Sequence, residues 1–198
     1  ILGDGADQTI IKQTDASQDY VARTVDSGGN TGANIGSGSN TVPQHIDITG
    51  VSFESSGSNS GLLLDRAKHV RITDCQFKST WAQGDAVGSG YRGVDAESGG
   101  IYTTKHVTFD HCTFTGIQYA FSTDYDVESV NFQNCYFDIL YKGIKLGQST
   151  DGSTAGQANG PRFVRVIGSQ FDNIDLQAVH IYDNGSPKGN TFAFNSFK

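Results

Sequence analysis

A period-two alternation that returns five times constrains this chain more than any other feature. Two apolar residues stand at alternate positions, a short polar spacer follows, and a small or apolar residue then precedes a Phe by two. The copies are Ile46, Ile48, Val51, Phe53; Val70, Ile72, Cys75, Phe77; Val107, Phe109, Cys112, Phe114; Val130, Phe132, Cys135, Phe137; and Val164, Val166, Ser169, Phe171. A degenerate sixth copy begins at Phe192 and Phe194. The Phe positions are separated by 24, 37, 23 and 34 residues, which describes a unit of 23 to 24 with two insertions. Alternation of this kind places every other side chain on one face of a strand. No single unit holds enough apolar residues to bury itself, so the units must stack in register and share one core.

A second element follows each first one: a small residue, an apolar residue, any residue, then one able to face inward. Its copies are read as Gly61-Leu62-Leu63-Leu64, Gly100-Ile101-Tyr102-Thr103, Ala120-Phe121-Ser122-Thr123, Gly143-Ile144-Lys145-Leu146 and Ala178-Val179-His180-Ile181. The composition agrees with strands and turns: 14 Ile and 13 Val stand against 7 Leu, with 25 Gly and no Met. Helical bundles are excluded on that ground. The expected fold is all-β, a single-stranded parallel β-helix of about five full coils plus partial end coils, in one domain over 1–198. Residues 1–45 read as an irregular lead-in, with a first strand at Thr9-Ile10-Ile11 and a strand or short helix in 18–25. Residues 26–41, rich in Gly, Ser and Asn, form a polar excursion. The regular coils occupy 46–198, with insertions near 78–99 and 147–162. The start at Ile1 and the end in mid-pattern suggest a segment of a longer chain.

The formal charge is −7, without a run of Lys or Arg, which argues against a grip on a nucleic-acid backbone. No apolar stretch is long enough to span a bilayer, and no signal peptide is recognisable. Cys75, Cys112 and Cys135 share one repeat position and are expected to be a buried stack of free thiols, consistent with assembly in a reducing cytoplasm. No metal or other cofactor is expected.

The runs Ile72-Thr73-Asp74-Cys75-Gln76-Phe77, Phe109-Asp110-His111-Cys112-Thr113-Phe114 and Phe132-Gln133-Asn134-Cys135-Tyr136-Phe137 resemble the right-handed β-helices of the pectate-lyase-like superfamily. Among these the chain looks most like bacteriophage tailspike and tail-fibre proteins, and Ile1-Leu2-Gly3-Asp4-Gly5 before Thr9-Ile10-Ile11 is similar to their lead-in. The resemblance implies a right-handed coil, a homotrimer in a virion tail (a secreted protein being the alternative), and binding of a bacterial surface polysaccharide. The paired aspartates, Gly-His-Gly and Arg-Ile-Lys of polygalacturonase-like members do not occur here.

Placing the apolar residues of the second element inward yields its outward rows. One is Leu63, Tyr102, Ser122, Lys145, His180, and the next is Asp65, Thr104, Asp124, Gly147, Tyr182. Tyr102, Lys145, His180, Tyr182 and the inserted Trp81 are candidate substrate-binding residues, since aromatic rings stack on sugars and polar groups bond their hydroxyls. Asp124 with Asp65 or Glu97, or with Asp126, is the candidate pair for glycoside hydrolysis, which needs two carboxyl groups at defined separation. Lys145 is an alternative general base for a uronate lyase. Three functions therefore stand: a polysaccharide-binding tailspike or tail-fibre protein, a polysaccharide depolymerase, and a structural rod.

Overall fold

In a computed structural model, the structure describes residues 1–13, 20–24, 43–55, 60–82, 84–85, 92–97, 104–123, 127–147, 161–181 and 188–198. The lead-in supplies β1 (Ile10–Gln13) and β2 (Tyr20–Arg23). The first coil is β3 (Gln44–Thr49), β4 (Ser52–Ser55) and β5 (Ser60–Asp65), and the second is β6 (Lys68–Thr73), β7 (Gln76–Lys78) and β8 (Arg92–Glu97). In the third coil, β9 (Thr104–Asp110) precedes one long strand, β10 (Thr113–Thr123); the fourth repeats this with β11 (Val127–Gln133) and β12 (Tyr136–Leu146). The fifth has β13 (Arg165–Ile167) and β14 (Gln170–Ile181), and β15 (Thr191–Ala193) and β16 (Ser196–Phe197) close the chain.

These strands form two parallel sheets. One has the order β15-β13-β11-β9-β6-β3, and the other runs β1-β4-β7-β10-β12-β14-β16 with β2, β5 and β8 attached to it. The parallel β-helix expected from the repeat is therefore what the chain adopts. The lead-in is more regular than expected: β1 pairs with β4, and β2 pairs with β5 as a strand. The polar excursion 26–41 lies outside the described residues. Among those described, no helix is long and apolar enough to cross a membrane.

The core is a set of ladders. Phe53, Phe77, Phe114, Phe137, Phe171 and Phe197 stack with ring centroids 5.1, 5.0, 5.0, 4.4 and 5.3 Å apart. The separation follows from the spacing of hydrogen-bonded strands. Phe109 and Phe132 stack beside them at 4.7 Å and meet Phe114 edge-on. Cys75, Cys112 and Cys135 are buried and free, as expected, each thiol resting on backbone carbonyls such as Thr73, Ile72 and Gln133. The sixth copy is shifted relative to the sequence reading. Phe192 pairs with Val166 and Phe197 continues the Phe stack, while Phe194 sits at a corner, 91% exposed.

Corners are made by a single residue in left-handed backbone, repeated coil after coil. Gly50, Asp74, His111, Asn134, Gly168 and Phe194 have φ between 51° and 66° where the chain passes from one sheet to the other. Asn, Asp, His and Gly take this conformation more readily than other residues, which accounts for the residue types of the spacer. Gly116, Ile139 and Asn173 do the same within the long strands.

The second element of the second coil is Gly93-Val94-Asp95-Ala96, and this corrects the reading at Gly100–Thr103. Leu62, Leu63 and Leu64 pair with Val94, Asp95 and Ala96. The reason for the small residue is close backbone approach. A Cβ on Gly61 would lie 2.6 Å from the Gly93 carbonyl oxygen, and one on Gly143 would lie 2.3 Å from that of Ala178. The segment expected as one insertion near 78–99 thus contains a core strand, β8.

Candidate functional site

The outer face of the second-element strands carries Lys145 and His180 of the predicted site. Register partners run Arg23, Leu63, Asp95, Ser122, Lys145, His180, so the expected row forms with Asp95 in the place given to Tyr102. Tyr102, Asp124, Asp126 and Tyr182 lie outside the described residues.

Lys145 and His180 come together on adjacent coils. Beside them is Lys142, whose Nζ lies 2.8 Å from His180 Nδ1. Lys142 is nearly buried, and burial, followed by the charge of Lys145, holds its ammonium below the ordinary lysine value. His180 is held below its ordinary value by burial first and then by Lys142 and Lys145. Its imidazole is therefore neutral at pH 7, with Nδ1 accepting from the ammonium and the proton on Nε2. Aromatic rings complete the cluster: Lys145 Nζ stands 5.9 Å from the Tyr119 ring centroid and Lys142 Nζ 5.8 Å from that of Tyr141. Both separations are in the range where a cation is attracted by a ring face. Tyr119 and Tyr141 meet edge-on at 6.1 Å.

On the preceding coil Asp95 accepts from the Ser122 hydroxyl at 3.2 Å and is ion-paired with Arg92. Asp95 and Ser122 are buried, so this acid orients its neighbours rather than meeting solvent. The face thus passes from a paired carboxylate to an electropositive patch within two coils.

Three expectations are corrected. Trp81 is not an exposed platform: it is 3% exposed and packs edge-on against Tyr141 at 6.4 Å, where no sugar reaches its ring. Asp65 is not an exposed catalytic acid: it is 0% exposed, 3.8 Å from Arg23 and 3.6 Å from Arg66. Thr104, placed in the row beside it, opens β9 on the other sheet and donates to the Leu64 carbonyl. Glu97 is the register partner of Asp65 in β8, and its backbone is what the structure describes.

Sequence reasoning missed Arg92, Asp95, Tyr119, Tyr141 and Lys142. Asp95 was within reach, because Gly93-Val94-Asp95-Ala96 satisfies the second-element pattern as well as Gly100–Thr103 does. Lys142 carried no signal: a lysine before Gly143 reads as a solvated turn residue, and only the packing of three coils desolvates it. Among the described residues no group of His, Cys, Asp or Glu is arranged to hold a metal ion.

The fold and this face define a parallel β-helix that displays a polar, partly desolvated surface on one side of the coil. The family model for the right handed beta helix region matches residues 21–198, and the chain belongs to that family. No curated protein matches the sequence. A solved structure titled a glycoside hydrolase is similar at a TM-score of 0.38 and 12% identity; the match covers 80% of this chain and 39% of that one.

Proposed function

We propose that the chain is a glycan-binding β-helix of the tailspike type, which takes a bacterial surface polysaccharide at Tyr119, Tyr141, Lys142, Lys145 and His180. The observation that supports this most is the meeting of two ammonium groups with two tyrosine rings and a neutral imidazole at one place. Rings of this kind accept the C–H face of a sugar, while the lysines attract a carboxylate or other acidic substituent. Assembly as a homotrimer in a virion tail belongs to the same proposal and rests on the resemblance of the repeats. Calorimetric titration with capsular and O-antigen polysaccharides tests it. Lys145→Ala and Tyr119→Ala are each expected to weaken binding by roughly tenfold to a hundredfold, the range for contacts to a charged group. Binding left unaltered in both variants would place the glycan elsewhere.

The second reading, a depolymerase, draws support from Lys142. An amine held below its ordinary pKa can abstract the proton beside a uronate carboxylate, after which the glycosidic oxygen leaves and a double bond forms. Release of unsaturated uronates, followed by ultraviolet absorbance and abolished in Lys142→Gln, would establish a lyase. Neither binding nor cleavage on any glycan would leave a structural rod.

A further inference from the structure

Lys142 is a near-buried cation set beside a second cation. Its side chain belongs to a residue only 6% exposed, its Nζ stands over the Tyr141 ring, and the Lys145 ammonium is close enough to repel it. Charge is costly in such surroundings, and burial, then Lys145, holds the ammonium below its ordinary value. The carboxylate of Asp95, two coils back, is already engaged by Arg92 and Ser122. A reaction that turned the Lys142 amine into an anion would relieve this arrangement, because Lys145 would then face an opposite charge.

Two neighbours are placed to serve that change. His180 Nδ1 lies 2.8 Å from Lys142 Nζ, and a neutral imidazole accepts a proton at that nitrogen. Gln177 is the register partner of Lys142 on β14, so the two side chains leave the same side of the sheet at the strand spacing. Its Oε1 is buried without a hydrogen-bond partner, and a buried acceptor in that state calls for a donor. The burial of Lys142 favours a small, uncharged reagent over a bulky or ionic one. Carbon dioxide is such a reagent, and its carbon is an electrophile for a neutral amine.

We propose that Lys142 is a modification site that forms a carbamate with dissolved carbon dioxide, with His180 as the proton acceptor and Lys145 as the counter-charge. The ammonium first gives one proton to water. The Nζ lone pair then attacks the carbon, a C–N bond forms, and one C=O π pair moves onto oxygen. The second proton passes from Nζ to His180 Nδ1. No oxidant or further reactant is needed. Two positive charges beside a neutral ring become two positive charges beside one negative charge, and the carbamate N–H is a donor for Gln177 Oε1. The result is a carboxylate set among the lysines of this face. The inference does not rest on the glycan reading, since it concerns the amine and its neighbours alone.

The test is incubation of the whole chain with isotope-labelled bicarbonate at neutral pH, read by carbon NMR. The carbamate is then trapped as its ethyl ester with a trialkyloxonium salt and located by peptide mass mapping. The expected result is one saturable carbamate resonance, with the label on the peptide that holds Lys142. Lys142→Arg keeps a cation but replaces the amine by a guanidinium that does not deprotonate, and it should abolish the signal. Lys145→Gln removes the counter-charge and should weaken carbon dioxide uptake roughly tenfold or more, which keeps the test decisive if Lys142→Arg fails to fold. Lys68→Arg, on the other sheet, should leave the signal unchanged. Label confined to the Ile1 amino group, label spread over the exposed lysines, the same resonance in Lys142→Arg, an unchanged affinity in Lys145→Gln, or no label would each overturn the proposal. No glycan enters the experiment, so its result is separate from that of the calorimetric titration.

Discussion

Replacing Phe114 by Ala tests whether the stacked rings hold the coils together. The ring is 0% exposed and lies between Phe77 and Phe137, 5.0 Å from each, with Phe109 and Phe132 edge-on at 6.0 and 6.5 Å. Removing a buried Phe side chain typically costs about 3 to 5 kcal/mol, and the cost rises where neighbours cannot collapse into the cavity. Here collapse is opposed on both sides, because Thr113 donates to Cys75 and Tyr136 donates to Cys112 through backbone bonds of 2.9 Å that pin the coil spacing. The loss should therefore fall toward the upper part of that range, about 4 to 5 kcal/mol, which for a chain of this size lowers the melting temperature by roughly 8 to 20 °C. Phe197→Ala is the internal control: its ring is 63% exposed and stacks on Phe171 at 5.3 Å. Its loss should be about 1 kcal/mol or less, since little apolar surface leaves water there. Urea unfolding followed by far-ultraviolet circular dichroism measures both, with the slope showing whether the unfolding unit has changed. A loss under about 1 kcal/mol for Phe114→Ala at unchanged slope, or equal losses for the two variants, would refute the reasoning.

Further predictions concern the buried polar groups. Asp65→Asn removes the buried carboxylate charge that faces Arg23 and Arg66 and should cost about 3 kcal/mol, the low end for a broken buried pair because its separations are wide. Glycan binding should be retained, and a loss of binding at full stability would return Asp65 to the site. The thiols of Cys75, Cys112 and Cys135 should resist an aromatic disulfide reagent in the native protein and react on unfolding; burial raises Cys75, while the contact with Cys135 and burial raise Cys112. Rapid reaction of any one in the native state would contradict the ladder. Because His180 binds its proton less tightly when folded than at its ordinary value of 6.5, its contribution is present above that pH and is lost as pH falls through the depressed folded value. His180→Gln should flatten that part of the acid limb, and an unchanged urea-midpoint profile between wild type and variant would show that His180 is not desolvated.

The repeat made the core legible before any coordinates. The five Phe residues, the thiol row and the apolar pairs all fell where the alternation put them, because a residue that must face inward in a stacked coil has few alternatives. Phe194 and Gly100 were misplaced for one shared reason. A Phe or a Gly satisfies the pattern wherever it stands, and only pairing with the neighbouring coil decides between Phe192 and Phe194 opposite Val166, or between Gly100 and Gly93. The site was less legible. Lys145 and His180 stand side by side as expected because they share a row, whereas Trp81 and Asp65 were misjudged because burial of a polar or inserted residue depends on what packs over it.

What the sequence by itself determined is the solenoid: period-two strands too poor in apolar residues to fold singly, left-handed corners marked by Asn, Asp, His and Gly, and a ladder of aromatic rings. What only the tertiary structure decided is which outward residues meet. The insertions change the sequence distance between coils, so Lys142 and His180, 38 residues apart, and His69 and His106, 37 apart, become neighbours at 2.8 and 4.9 Å. Register across a coil is set by hydrogen bonding between strands distant in sequence, and no local pattern in the chain contains it.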